Sequence, residues 1–232
     1  ADLLPGELDA ARAPAAADES AAKHGNRAMG AAADVSVADS VSAAAARAAA
    51  ELGGIDIWVN NAGIFPNAPV LDMPVEMWDQ VFAVNARGTF LGSREAAKHM
   101  SGNTSGGVIV NVISTAGFTV GFPGMAAYAS SKHAARGLTK SLALDLAPMG
   151  IRVLGVAPSY VPTEGNIAAA AAGMEAAKAA GVELPELDVM NHSLIGRTGT
   201  PDDIARVVLF AASDLSMIMT GSTLLADAGE TI

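Results

Sequence analysis

The sequence predicts an α/β fold, a doubly wound parallel sheet between helical layers, and three observations carry that expectation. Five short, nearly continuous apolar runs recur along the chain, longer segments with helical character separate them, and no linker or repeat divides the 232 residues. Continuous apolarity is what a strand covered on both faces requires. Strands alternating with helices build such a three-layer sheet, and a chain of this length buries a full core as a single domain, residues 1–232.

The strands are expected at residues 27–33, 55–60, 107–112, 151–157 and 222–227. Residues 40–51 form an Ala-rich helix that stops at Gly53 and Gly54, because glycine accepts the left-handed conformation that ends a helix. Residues 75–100 are helical after Pro74, and residues 128–147 form a long helix ending before Pro148 and Gly150. Thr200 reads as an N-cap with Pro201 in the first turn. Ile204, Val207, Val208 and Ala211 then repeat at helical spacing and face the core. Residues 163–199 break the alternation with an Ala-rich helix, about 167–180, and a proline-containing turn. A long excursion at a strand end is where α/β enzymes place a substrate lid.

Composition excludes several classes of function. A net charge of −10 and an acidic pI near 4.7 argue against nucleic acid as a partner, since phosphate backbones select basic surfaces. The absence of cysteine excludes disulfides and thiolate metal sites and is compatible with a reducing cytoplasm. No apolar run reaches the roughly 18 residues of a membrane span. His24, His99, His133 and His192 lack metal-ligand spacing, so no metal is expected. Trp58 and Trp78 read as packing residues.

The chemistry centres on Tyr128-Ala129-Ser130-Ser131-Lys132, whose i, i+4 spacing puts a phenol and an ammonium on one helix face. An ordinary tyrosine, with a pKa of about 10, is a poor base near neutrality; a nearby cation favours its phenolate. Other polar signals gather at the same sheet rim. Asn60-Asn61-Ala62-Gly63 follows the strand at 55–60, and Ser114 follows the strand at 107–112. Asn85 lies in the helix between them, and Pro158-Ser159-Tyr160-Val161-Pro162-Thr163 follows the strand at 151–157. Open α/β sheets bind ligands at this edge. Singly, Ser114 also reads as a strand-terminating hydroxyl, Asn85 as a satisfied interior amide and Asp34 as a helix cap.

Jointly and in this order, these motifs resemble the short-chain dehydrogenases/reductases. Residues 197–205, Thr220-Gly221-Ser222 and Asp227-Ala228-Gly229 are similar to that family's C-terminal segments, so the likeness runs from about Asp34 to the end. The resemblance implies a Rossmann-like fold and an NAD(P)-dependent oxidoreductase acting on CH–OH groups, with a small alcohol or carbonyl compound as substrate. It assigns proton transfer to Tyr128. Lys132 is to lower that pKa and bind the nicotinamide ribose, Ser114 to polarise the substrate oxygen, and Asn85 to hold a relay water. Asn61, Ala62 and Gly63 would line the adenosine side, Asp34 and Val35 the adenine, and Pro158, Val161 and Thr163 the nicotinamide end. Phe118, Tyr160, Met190 and His192, with Met174, Leu184 and Leu187 in the lid, suggest a largely apolar substrate pocket. A 3-oxoacyl-thioester reductase and a non-catalytic cofactor-binding regulator are the alternatives. Relatives commonly assemble on helices matching residues 75–100 and 128–147, implying a homo-oligomer, tetramer or dimer.

Two departures qualify the likeness. The phosphate-cradling Gly-x-x-x-Gly-x-Gly loop does not occur in residues 1–35, and residue 1 is not Met. A first strand and glycine loop, roughly 30 to 40 residues as a βα unit, are therefore expected to precede the chain. Ala1-Asp2-Leu3 then resembles the end of the second strand, where Asp2 would bind the adenosine ribose hydroxyls and select NAD, with NADP as the alternative. Ser159 stands where the family usually has glycine, and backbone strain is expected there if φ is positive.

Overall fold

The computed structural model describes residues 12–163, 167 and 193–232. Among them, β1 (Ile57–Asn60), β2 (Gly107–Val112), β3 (Ile151–Pro158) and β4 (Thr223–Ala226) form one parallel sheet in that spatial order. Asn60 lies opposite Asn111, Asn111 opposite Gly155, and Gly155 opposite Thr223, so the strands finish along a common carboxyl rim.

The pleat sends alternate residues to two separate cores. Ile109, Ile151 and Val153 pack with Ala96 and Met100 of α4 (Thr89–Met100) and Leu142 and Leu146 of α5 (Ala126–Leu146). Ala45 of α2 (Ala38–Leu52) joins that face. On the other face Val108, Val110, Leu154 and Val156 pack against Ala211, Ile204, Val207 and Val208 of α6 (Pro201–Ala212). The three-layer expectation is met, and the four apolar positions at 204–211 face the sheet. Thr200 caps α6 reciprocally with Asp203, which also pairs with Arg197. Arg152 of β3 donates to the carbonyls of Ser213, Ser216 and Met219, tying the end of α6 to the sheet.

The connections differ in hand. The strand order is monotonic, yet α4 and α5 cover one face while α6, between β3 and β4, covers the other. With the first two crossovers right-handed, as such units almost always are, the third is left-handed.

One expectation needs correction, one is met with a refinement, and one element is added. Residues 27–33 carry no strand: their apolar content is mostly alanine, interrupted by Gly30, and offers little to a pleated surface. The helix expected over 75–100 is α3 (Val75–Phe82), a π-helical segment (Ala83–Gly88) and then α4. An additional helix, α1 (Arg12–His24), was not among the expected elements; Pro14 falls in its first turn, where proline is tolerated. Elsewhere the boundaries shift by a few residues, and α2 ends at Gly53 with φ 96°.

Candidate active site

Lys132 sits where β2 ends. It is buried, and its Nζ donates to the Val112 carbonyl at 3.1 Å. One turn earlier on α5, the half-buried Tyr128 places its ring centroid 5.7 Å from that ammonium. Phe65 meets the Tyr128 ring edge-on at 6.2 Å. A Cβ placed on Gly63 would stand 3.4 Å from both Lys132 Nζ and Asn85 Oδ1, so the 61–64 turn closes on the same point.

Ser114 opens a single 3-10 turn, Thr115–Gly117, and its Oγ accepts the Ala116 N–H at 3.1 Å. That bond uses a lone pair; the hydroxyl proton is a separate donor. The turn lies on α5, where Ala116 clusters with Met125, Ala129 and Tyr128, and Gly117 receives Arg136 Nη1.

Asn85 is buried in the π-helical segment, a geometry that recurs at functional sites. Its Oδ1 accepts the Ile64 N–H at 2.9 Å, and its Nδ2 donates to the Ile64 carbonyl at 2.8 Å and to Ser131 Oγ at 3.0 Å. The side chain is thus a clamp between the 61–64 turn and α5. Ser131 was missed in the sequence; its only signal there is its place beside Lys132.

Farther along the rim, Val35, Asn61 and Ala62 line one recess with Val41, Trp58 and Val84. Three residues expected on the adenosine side are therefore brought together. Asp34 belongs to the approach to this recess: its Oδ1 accepts the Ser36 N–H and hydroxyl, and its own N–H donates to Ser40 Oγ. Helix α2 is capped by Val37 without a side-chain bond, so Asp34 shapes the preceding turn and does not cap the helix. The apolar side chains of Val35, Val41, Trp58 and Val84 suit an adenine plane, so the residues of this recess fit the adenosine end of a nicotinamide dinucleotide.

Pro158 ends β3, Val161 is buried and Thr163 is half-buried. Tyr160, 42% exposed, borders a second recess with Ser159, Arg197 and Asp227. Burial opposes ionisation of Asp227, but bonds from the Thr231 hydroxyl and the Gly229 and Thr231 N–H groups outweigh it and hold this carboxyl below the ordinary range. Phe118 has one ring face covered by the Arg136 guanidinium at 3.7 Å. Strain is not found at Ser159; Ala228, with φ 54°, is the one non-glycine residue of positive φ among those described. Asp2, Met190, His192 and most of the expected lid lie outside the described residues. Among the described residues no cluster of His, Asp and Glu could hold a metal, and no helix is long and apolar enough to cross a membrane.

A family model described as enoyl-(acyl carrier protein) reductase matches residues 6–231. The chain belongs to the short-chain dehydrogenase/reductase family. Among characterised members it is similar to trans-4-hydroxycyclohexanecarboxylate dehydrogenase of Sinomonas cyclohexanicum, 38% identical over 85% of this chain and 69% of that one. It is 39% identical to 3beta-hydroxysteroid dehydrogenase 1 of Eggerthella lenta, over 86% of this chain and 72% of the relative. Among solved structures, gluconate 5-dehydrogenase of Burkholderia cenocepacia, in complex with NADP and tartrate, superposes with a TM-score of 0.83. That match has 32% identity and covers 97% of this chain and 83% of that chain.

Proposed function

We propose that this chain oxidises a secondary alcohol to a ketone, or runs the reverse, with a nicotinamide cofactor and with Tyr128 as general base or acid. The observation that carries this reading is the convergence of the Tyr128 ring, Lys132 Nζ and the Gly63 turn at the end of β2. In the oxidative direction the Tyr128 phenolate takes the hydroxyl proton while the carbinol hydrogen leaves with its electron pair and the C–O bond becomes a carbonyl. The nicotinamide ring supplies the acceptor for that hydride. Lys132 favours the phenolate as a neighbouring cation, and Ser114, at the head of the turn on α5, donates to the substrate oxygen. Val35, Asn61 and Ala62 hold the adenosine, while Val161 and Thr163 serve the nicotinamide end. Asp2 supports NAD as the preferred form.

The names of three relatives support a cyclic substrate. Hydroxycyclohexanecarboxylate, hydroxysteroid and cyclopentanol dehydrogenases are all named for ring alcohols, so a cyclic secondary alcohol is the first substrate to test. The second reading is a 3-oxoacyl-thioester reductase, which expects turnover of acetoacetyl thioesters with NADPH; the family model's name shares with it the acyl-thioester substrate and not the bond reduced. Tyr128→Phe is the deciding variant. Turnover of cyclohexanol-type substrates falls by roughly 10²–10⁴-fold, the usual worth of general acid–base catalysis, while cofactor affinity by fluorescence titration stays nearly unchanged. Equal loss of both would assign Tyr128 a folding role and end this reading.

A further inference from the structure

We propose that Ser131 is a positioning residue, which holds the helical turn between Tyr128 and Lys132 in register with the cofactor-side turn at 61–64. The inference rests on the reading of Tyr128 as the proton-transfer residue and adds to it a group that touches no reacting atom.

Ser131 is completely buried, and its hydroxyl has two partners of different kinds. It donates to the Tyr128 carbonyl at 2.7 Å and accepts from Asn85 Nδ2 at 3.0 Å. In an α-helix the carbonyl of Tyr128 is also the acceptor for the Lys132 N–H. The hydroxyl therefore binds the one carbonyl that closes the turn carrying both the phenol and the ammonium. Donating there leaves a lone pair for Asn85, and Asn85 spends its remaining capacity on the Ile64 N–H and carbonyl. A continuous path runs from the backbone of Ile64 through Asn85 and Ser131 to the backbone of Tyr128. Gly63, one residue before Ile64, is the position whose added Cβ would stand 3.4 Å from Lys132 Nζ. The path closes a loop around the site, and Ser131 is its link to α5.

A second buried peg on α5 provides the control. Thr139 Oγ1 accepts from Asn111 Nδ2 at 2.9 Å and donates to the Ala135 carbonyl at 2.9 Å, also with no exposure. It has the same chemistry as Ser131 but lies two turns beyond Lys132. The charged groups around the phenol make its titration readable. Among the described residues Lys132 faces the ring, His133 and Arg136 follow it on α5 and bond to the Ala129 and Gly117 carbonyls, the 60–66 and 113–118 segments carry no titratable side chain, and Glu76, Asp79 and Arg87 on α3 and the π segment are exposed.

The chain has two tyrosines, so a Tyr160→Phe background leaves Tyr128 as the only phenol, and its ionisation can be followed by ultraviolet difference absorbance without any substrate. In that background Ser131→Ala raises the pH at which the phenol titrates, because the turn no longer holds the ammonium against it. In otherwise native protein Ser131→Ala lowers kcat by roughly tenfold to a hundredfold, the scale of an ångström-sized misplacement, with a smaller change in cofactor affinity. Both Ser131→Ala and Thr139→Val lower the thermal midpoint, yet Thr139→Val leaves the phenol titration and kcat within about twofold of the parent, as expected for a group remote from the reacting atoms. A Ser131→Ala protein that behaves like Thr139→Val in titration and kcat overturns the proposal. Should the alanine variant not fold, Ser131→Cys fills nearly the same space with a weakly bonding thiol; its phenol titrates high too, and a parent-like curve overturns the proposal. If the parent protein turns over no alcohol or ketone, the functional reading fails by itself, and the substrate-free titration still decides the role of Ser131.

Discussion

At Gly92 the missing side chain is what lets α4 lie against β1. A Cβ there would overlap Asn60 Oδ1 and stand 2.9 Å from Trp58 Nε1, two atoms already joined by a hydrogen bond. Asn60 goes on to donate to Ser93 and Asn111, which reaches Thr139, so one polar chain crosses from β1 to α5. Gly92→Ala therefore forces overpacking and lowers unfolding free energy by about 1–3 kcal/mol; an unchanged urea midpoint would contradict this account. The same network marks the limit of what residue patterns reveal. Tyr128, Lys132, Ser114 and Asn85 were legible because each lies within, or at a fixed step from, a recognisable motif. The side-chain partners of Asn85 are 21 and 46 positions away, and beyond neighbouring Trp58 those of Asn60 are 33 and 51 away. Nothing local encodes such pairs, so Ser131 and the inward role of Asn60 emerged only from the fold.

Elements were legible to the extent that their signal is self-contained. Buried strands such as β2 and β3 announce themselves by continuous apolarity, and α6 by its cap and its 3.6-residue stripe. The run at 27–33 failed because a strand is made by its neighbour, and alanines supply little to hold one. The π-helical segment failed for a different reason: one extra residue in a turn leaves apolar spacing almost unchanged, yet it sets where Asn85 points. The turn that follows β4 allows a test by acid. Asp227 binds fewer protons folded than unfolded, so its contribution to stability is present above the ordinary aspartate pKa of about 3.9 and disappears as pH falls through the lower native value. The stability gap between the parent and Asp227→Asn, measured by urea unfolding, accordingly narrows from pH 7 to about pH 3. A gap that stays constant across that window would show that the carboxylate's charge is not what staples the turn.

For the molecule as a whole, the sequence conveyed the three layers but not the change of hand at the last crossover, since hand depends on which face a helix covers. That feature divides the fold. Among the described residues β2 and β3 are paired on both sides and covered by both helical layers, whereas β4 is paired on one side and leaves Leu225 45% exposed. Native-state hydrogen exchange should find β2 and β3 slowest, with β4 and α6 opening together at lower free energy; protection of β4 equal to that of β2 would count against this division. The parallel sheet also has an electrical consequence. A helix that follows a strand and packs back along it begins at the carboxyl rim, and unbonded amides in its first turn carry roughly half a positive charge. Helix α5 starts at Ala126, so Tyr128 lies within that first turn. A chain whose overall charge is −10 thereby turns a locally positive helix end toward the rim that carries Tyr128 and Lys132, through its backbone as well as through lysine.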